Sequence, residues 1–313
     1  MKKIDFAKNI RFDESDARAD AAGKVWFNQE LSKEISKEFM VKYPGLMARE
    51  LIDVNTTSAQ SGDTEIYYDL WDGVTSASAM DDSCESSPAK VSVGANRTYR
   101  KIQGYENCLC YNIRDLRRSQ RTGKGLPGKL AATALRGHEL KLEDVACFGD
   151  ASYGILSGFL NDPNVAVDAS AGAWDTLTPD QIVDQVKTLQ GNMDTDTQGV
   201  HNSSTDLLVP YATLTCLKFT RMTDGAESVL SYLQEKTGLR VTAWNKLNTA
   251  GAGGVTRAVL YTKDPMHQEL HIVNAPEFFP AERKGKSIEV ETMMETAGTT
   301  IYYPRSIRYM DGV

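Results

Sequence analysis

The sequence predicts an α+β fold, and three observations carry that reading. Two strand-like stretches rich in aromatic and β-branched residues flank a polar tip in the first third of the chain. A long helix follows, after which strands alternate with short helices. Ahead of these, residues 1–27 are polar, mixed in charge and end in Val25, Trp26 and Phe27. Such a segment reads as an arm that docks through a few large side chains and does not fold alone.

From Asn28 the pattern becomes helical: Asn28 stands as an N-cap, Leu31, Ile35 and Phe39 recur every four residues, and Pro44 with Gly45 ends the run. Residues 65–75 and 91–111 are the two strands, joined by the tip DDSCESSPAK. They carry Tyr67, Tyr68, Leu70, Trp71, Tyr99 and Tyr105, more aromatic surface than an isolated hairpin can leave in water. Another surface must cover it. Residues 113–120 predict a helix, RTGKGLPG a loop, and residues 129–148 a longer helix carrying Leu135, Leu142 and Val145. Turn residues in GDASYGILSGFLNDPNV close this region.

In LTPDQI a helix start is written out: Thr178 caps, Pro179 takes the first helical position, Gln181 completes a capping box, and Leu177 staples to Ile182. DLLVP reads as a strand leading to a helix near residues 211–219, and Asp224 with Glu227 caps another helix that stops before Gly238. Strands RVTAW, RAVLYT and ELHIV follow around the loop TAGAGG, and the tail GTTIYYPRSIRYMDGV is strand-like.

Composition narrows the function classes. At 313 residues, 41% hydrophobic and 25% charged, the chain is long enough for a sizeable core. It has no apolar run of about 18 residues, so no membrane partner is expected. The N-terminus lacks the apolar region of a secretory signal, and five scattered cysteines read as reduced thiols, so a cytoplasmic start is expected. A net charge of −7 argues against a protein that grips nucleic acid over its whole surface, though one that surrounds it is compatible.

Motifs that promise catalysis lack their context. GKGLPGK, residues 123–129, fits the phosphate-binding loop, but Leu130 stands where Ser or Thr is needed and a basic helix precedes it where a strand is required. His267 and His271 bracket Glu269 as H-Q-E-L-H, not H-E-x-x-H; on a strand they lie about 13 Å apart, too far to share a metal. His138 and His201 have no ligand cluster near them in sequence. Cys108 and Cys110 share a strand face without a second pair, and read as partly buried small residues. No nucleophile elbow is present. The reading is a chain without enzyme activity, with no catalytic residue, no cofactor and no metal. Arg114, Arg117, Arg118 and Arg121 lie within about two helical turns and are positioned for phosphate, but Asp115 interrupts the run, so a solvated face or ion pairs between subunits fit it at least as well.

The order arm, amphipathic helix, long two-stranded loop, long helix, compact α/β region and returning strand resembles the Hong Kong 97-type fold of tailed-phage coat proteins. The sequence also resembles one phage major capsid protein family through KEFMVKYPGLMARELIDV, YNIRDLRRSQRTGKGLPGKLAATALRGHE, FGDASYGILSGFLNDPNV, LTPDQIV and YYPRSIRYMDGV, a similarity running from about Asn28 to the C-terminus. The resemblance implies an arm and short helix over residues 1–45. It implies a peripheral domain over 46–173 and 263–313, containing an extended loop at 62–111 and a spine helix at 129–148, and an axial domain over 174–262. It further implies a coat protein that assembles with itself into pentamers and hexamers of an icosahedral shell around double-stranded DNA. Its other partners would be a portal and scaffold or cement proteins, and its place the virion, after assembly in the bacterial cytoplasm. An encapsulin-type nanocompartment shell is the second reading. Val25, Trp26, Phe27, Tyr67, Leu70, Trp71, Tyr99, Arg114, Arg117 and Arg118 are the expected intersubunit contacts.

Overall fold

The computed structural model describes residues 45–74, 90–122, 126–199, 206–223, 225 and 227–313. The arm with Val25, Trp26 and Phe27, the helix expected from Asn28, the hairpin tip at 81–89, His201 and the cap at Asp224 lie outside the described residues.

A short helix, α1 (Ala48–Leu51), sends Leu51 and the following Ile52 into the main core and leads to β1 (Asp53–Asn55). Next, β2 (Glu65–Val74) and β3 (Ser92–Lys101) pair as a sheet of their own, Glu65 opposite Lys101 and Val74 opposite Ser92. The single second strand expected over 91–111 is in fact two. After Ile102 the chain continues as β4 (Gln103–Asn112), which leaves the hairpin and pairs antiparallel with β11 (Ser287–Ile301). A partner from the far end of the chain thus takes over β4, and local sequence could not have revealed it.

The first sheet runs β4, β11, β9 (Gln268–Phe278), β1, with β10 (Glu282–Lys284) paired to the start of β11. Helices α2 (Ile113–Thr122) and α3 (Leu126–Phe148) follow β4. The second begins three residues before the expected 129 because Pro127 and Gly128 lie in its first turn, where a missing N–H is no loss. Buried Ala134, His138, Leu142 and Ala146, each four residues from the last, line the stripe of α3 that faces this sheet. Ala134 packs with Leu109 and Val290, and His138 Nε2 lies 2.7 Å from Thr292 Oγ1. At the end of α3 the chain doubles back so closely that a Cβ on Gly158 would sit 2.5 Å from the Cys147 carbonyl carbon. Only glycine fits there.

The second sheet has the order β5 (Ala166–Ala169), β12 (Ile307–Asp311), β8 (Arg257–Tyr261), β6 (Asp206–Val209), β7 (Arg240–Ala243). All four residues of β6 and all five of β8 are buried, the mark of strands covered on both faces. Alternation divides them. Leu207, Val209, Ala258, Leu260 and Met310 join a core with helices α4 (Pro179–Thr197), α5 (Tyr211–Phe219) and α6 (Val229–Thr237), while Leu208, Val259, Tyr261, Ile307 and Tyr309 join Leu142, Phe159 and Trp244. The capping box of α4 is realised: Gln181 N–H donates to Thr178 Oγ1 and Thr178 N–H donates to Gln181 Oε1. Caps of this kind contribute about 1 kcal/mol.

This sheet crosses the domain borders expected from the resemblance. β5 and β12 belong to the segments read as peripheral, yet they bond to each other, and β12 bonds to β8, which lies in the segment read as axial. The C-terminal strand is central to the second sheet, bonded on both edges.

Candidate assembly surfaces

The hairpin carries four of the expected contact residues, and strand alternation sorts them. Tyr67, Asp69 and Trp71 of β2 lie opposite Tyr99, Arg97 and Ala95 of β3, so they share one face, whereas Leu70 points to the other. On the first face Tyr67, Trp71, Val93 and Tyr99 are 58%, 69%, 63% and 58% exposed, an aromatic and apolar surface with the Asp69 and Arg97 pair set between its two ends. The Tyr67 and Tyr99 ring centroids are 6.3 Å apart, and the Arg97 guanidinium stacks 4.5 Å over Tyr67. Arg97 donates to both Asp69 carboxylate oxygens at 2.7 and 2.9 Å, and that guanidinium holds the Asp69 carboxyl below its ordinary range. The pair pre-sets the aromatic face without removing it from water. Its signal in the sequence is an Asp and an Arg at facing positions of two strands, legible only once the register is known.

The opposite face is tied down at its base. Tyr68 meets Tyr302 edge to face at 4.9 Å, and Arg100 donates to the Ser157 carbonyl at 2.8 Å. Tyr302 in turn donates to Glu269 at 2.9 Å and lies 3.3 Å from His271 Nε2, while His271 Nδ1 lies 2.8 Å from Ser58 Oγ. Burial lowers the His271 pKa below its usual value, against a raising influence of Glu269, and the nearby Arg100 charge adds to the lowering. Burial also lifts the Tyr302 hydroxyl well above the ordinary phenol, with Glu269 adding to the effect. Further out, Leu70 lines a cavity of about 430 Å³ with Gln198, Tyr302, Tyr303, Pro304 and Arg305. The hairpin is therefore anchored near Arg100 and open beyond Leu70.

Arg114, Arg117 and Arg118 are exposed on α2. Together with Arg121 they occupy positions i, i+3, i+4 and i+7, one stripe about 10 Å long. Within this stripe Arg118 lies 3.3 Å from Asp115.

The sites that resemble catalytic motifs do not assemble. α2 stands where a phosphate-binding loop needs a strand, and Gly128 with Lys129 lies inside α3. His271 is in β9 and His267 just before it, each within its own local bonds. Cys108 and Cys110 are exposed on β4, not partly buried as expected, because Leu109 between them takes the inward position on an edge strand. Among the described residues no group of three His, Cys, Asp or Glu side chains converges as a metal site, and no helix is long and apolar enough to cross a membrane.

Solved structures share this fold. A capsid structure of Myoviridae phage XM1 superposes with a TM-score of 0.81 at 14% identity, covering 91% of this chain and 98% of that one. Mycobacterium phage Bobi gives 0.66 at 9% identity over 92% and 97%. A virus-like particle from Pyrococcus furiosus gives 0.56 at 11% identity over 84% and 91%. The fold is the Hong Kong 97-type α+β coat fold that the sequence led one to expect. No curated protein sequence matches the chain. The sequence profile of the Major capsid protein family matches residues 80–313, so the open aromatic hairpin and the two-sheet body above are those of a chain that belongs to the major capsid protein family.

Proposed function

We propose that this chain builds a closed icosahedral shell of pentamers and hexamers around phage double-stranded DNA, as a structural subunit with no catalytic residue. The observation that carries the reading is the hairpin, which holds Tyr67, Trp71, Val93 and Tyr99 in water although each is a residue type that gains by burial. A repeating shell gives every copy a neighbour of the same kind, so each hairpin face can find the same kind of cover. In this reading Tyr67, Leu70, Trp71 and Tyr99 rest on an adjacent subunit, Val25, Trp26 and Phe27 anchor the arm on another, and Arg114, Arg117 and Arg118 face a neighbour. The division into arm, peripheral and axial parts describes how the subunit would sit in a capsomer. A portal replaces one capsomer, scaffold or cement proteins assist, and the shell forms in the bacterial cytoplasm before becoming the virion capsid.

Electron microscopy of the purified, bacterially expressed chain tests this directly. Closed particles of uniform size are the expected result. A chain that stays monomeric at every concentration and salt tried would overturn it. Particles that enclose a host enzyme in place of nucleic acid would point instead to a nanocompartment.

A further inference from the structure

The arginine stripe of α2 has a counterpart on the same chain. At the start of β11, a surface concavity of about 200 Å³ is lined by Phe279, Pro280, Glu282, Glu289 and Glu291. The register puts Glu282 beside Glu289, on the face of the first sheet turned away from α3. Lys284 pairs with Glu289 at 2.6 Å, leaving the concavity acidic on balance. Among the described residues no ion pair reaches Arg114, Arg117 or Arg121. Among these residues, then, none joins the stripe to this pocket within one chain.

We infer that the α2 stripe of one copy seats in the carboxylate pocket at β10 and β11 of the next copy, a head-to-tail contact between two different surfaces. This rests on the shell reading above. The chemistry matches: a guanidinium is planar, offers paired donors to a carboxylate and stacks on an aromatic ring, and the pocket supplies three carboxylates and the Phe279 ring. Engaged in one direction only, stripe of one copy into pocket of the next, the contact is heterologous, the kind that closes rings when the rotation closes. Nucleic acid is the competing occupant, and complementarity within one sequence favours a second copy. Such a contact sets orientation and association rate, and it weakens with salt.

The test is a charge exchange in the full chain, read by particle yield at low salt in sedimentation and micrographs, by the absorbance ratio for enclosed nucleic acid, and by a thermal melt for folding. Arg117→Glu/Arg121→Glu and Glu282→Lys/Glu291→Lys should each raise the concentration needed for particles about tenfold or more, which corresponds to about 1.4 kcal/mol per association step. Carried together in one chain, the four changes should bring that concentration back to within about threefold of wild type, less than half of that step. Neutral Arg117→Gln/Arg121→Gln serves if a reversal lowers the melt, and should reduce yield without recovery. Folded reversal variants that assemble at wild-type yield overturn the contact. So does a four-change chain that folds but assembles no better than either pair. Arginine variants that form particles normally but lose nucleic acid overturn it in favour of a nucleic-acid stripe. A wild-type chain that never assembles overturns the shell reading itself, a result distinguishable from the others.

Discussion

Replacing Trp71 with alanine separates what this side chain does for the fold from what it does between copies. Trp71 is 69% exposed, and on a residue of roughly 250 Å² this leaves about 170 Å² in water. At about 25 cal/mol per Å², full cover by a neighbour is worth about 4 kcal/mol. Fixing the ring against that neighbour costs about 1 kcal/mol in rotamer freedom. About 3 kcal/mol per contact remains, near a hundredfold in the association constant. Within the monomer the indole covers little, so the change in folding stability should stay within about 0.5 kcal/mol. Light scattering during assembly and a thermal melt of the unassembled subunit measure the two quantities. Trp71→Ala should shift the concentration for assembly upward by one to two orders of magnitude and leave the melt in place. Assembly at the wild-type concentration would refute the argument, as would a variant whose main defect is in the melt.

Gly158→Ala should do the reverse, destabilising the subunit by at least the 1–3 kcal/mol typical of an overpacked core, because its new methyl meets the Cys147 and Phe148 backbone and not a movable side chain; denaturant unfolding measures it, and an unchanged midpoint would be contrary. His271 and His138 both have pKa values held below 6.5 by burial, so the unfolded chain takes up their protons first and stability falls as pH drops below about 6.5. Burial raises Glu143, which slopes the other way, so the comparison is wild type against His271→Gln, whose unfolding free energy should lose less between pH 7.5 and 5.5. Equal losses would show that His271 does not report this burial. Iodoacetamide with peptide mapping should modify exposed Cys108 and Cys110 in the native subunit and buried Cys147 only after unfolding; a protected Cys108 in assembled particles would place β4 at a contact.

Local signals in the chain suffice where local chemistry decides the structure. The Thr178, Pro179, Gln181 start of α4 is complete in six residues, and the helix begins where it says. The aromatic surplus in residues 65–101 was legible as a hairpin in need of cover, because no count of its own residues could bury it. What escaped was non-local. β4 looked like a continuation of β3 since both are strand-forming and only Ile102 parts them, while its true partner, β11, begins 175 positions later, with Ser287 opposite Asn112. Likewise, nothing near β12 announces that it lies between β5 and β8. The two faces of the hairpin show this most clearly: Leu70 and Trp71 are neighbours in sequence and sit on opposite sides of it, a separation that depends on pairing and not on residue type.

That separation explains how one hairpin can be both anchored and available. Its inward residues Tyr68 and Arg100 hold to Tyr302 and Ser157 at the base, so the strand pair leaves the body in a set direction. Its outward residues Tyr67, Trp71 and Tyr99 gain nothing from that anchor and stay in water, while Arg97, paired with Asp69, stacks over Tyr67. A hairpin buried on both faces would stabilise the monomer and leave no adhesive surface. One exposed on both faces would lose its direction and the entropy of ordering would fall on assembly. Alternation with a period of two lets ten residues per strand do both, one face holding the hairpin to its own chain near Arg100 and the other presenting Tyr67, Trp71 and Tyr99 to water.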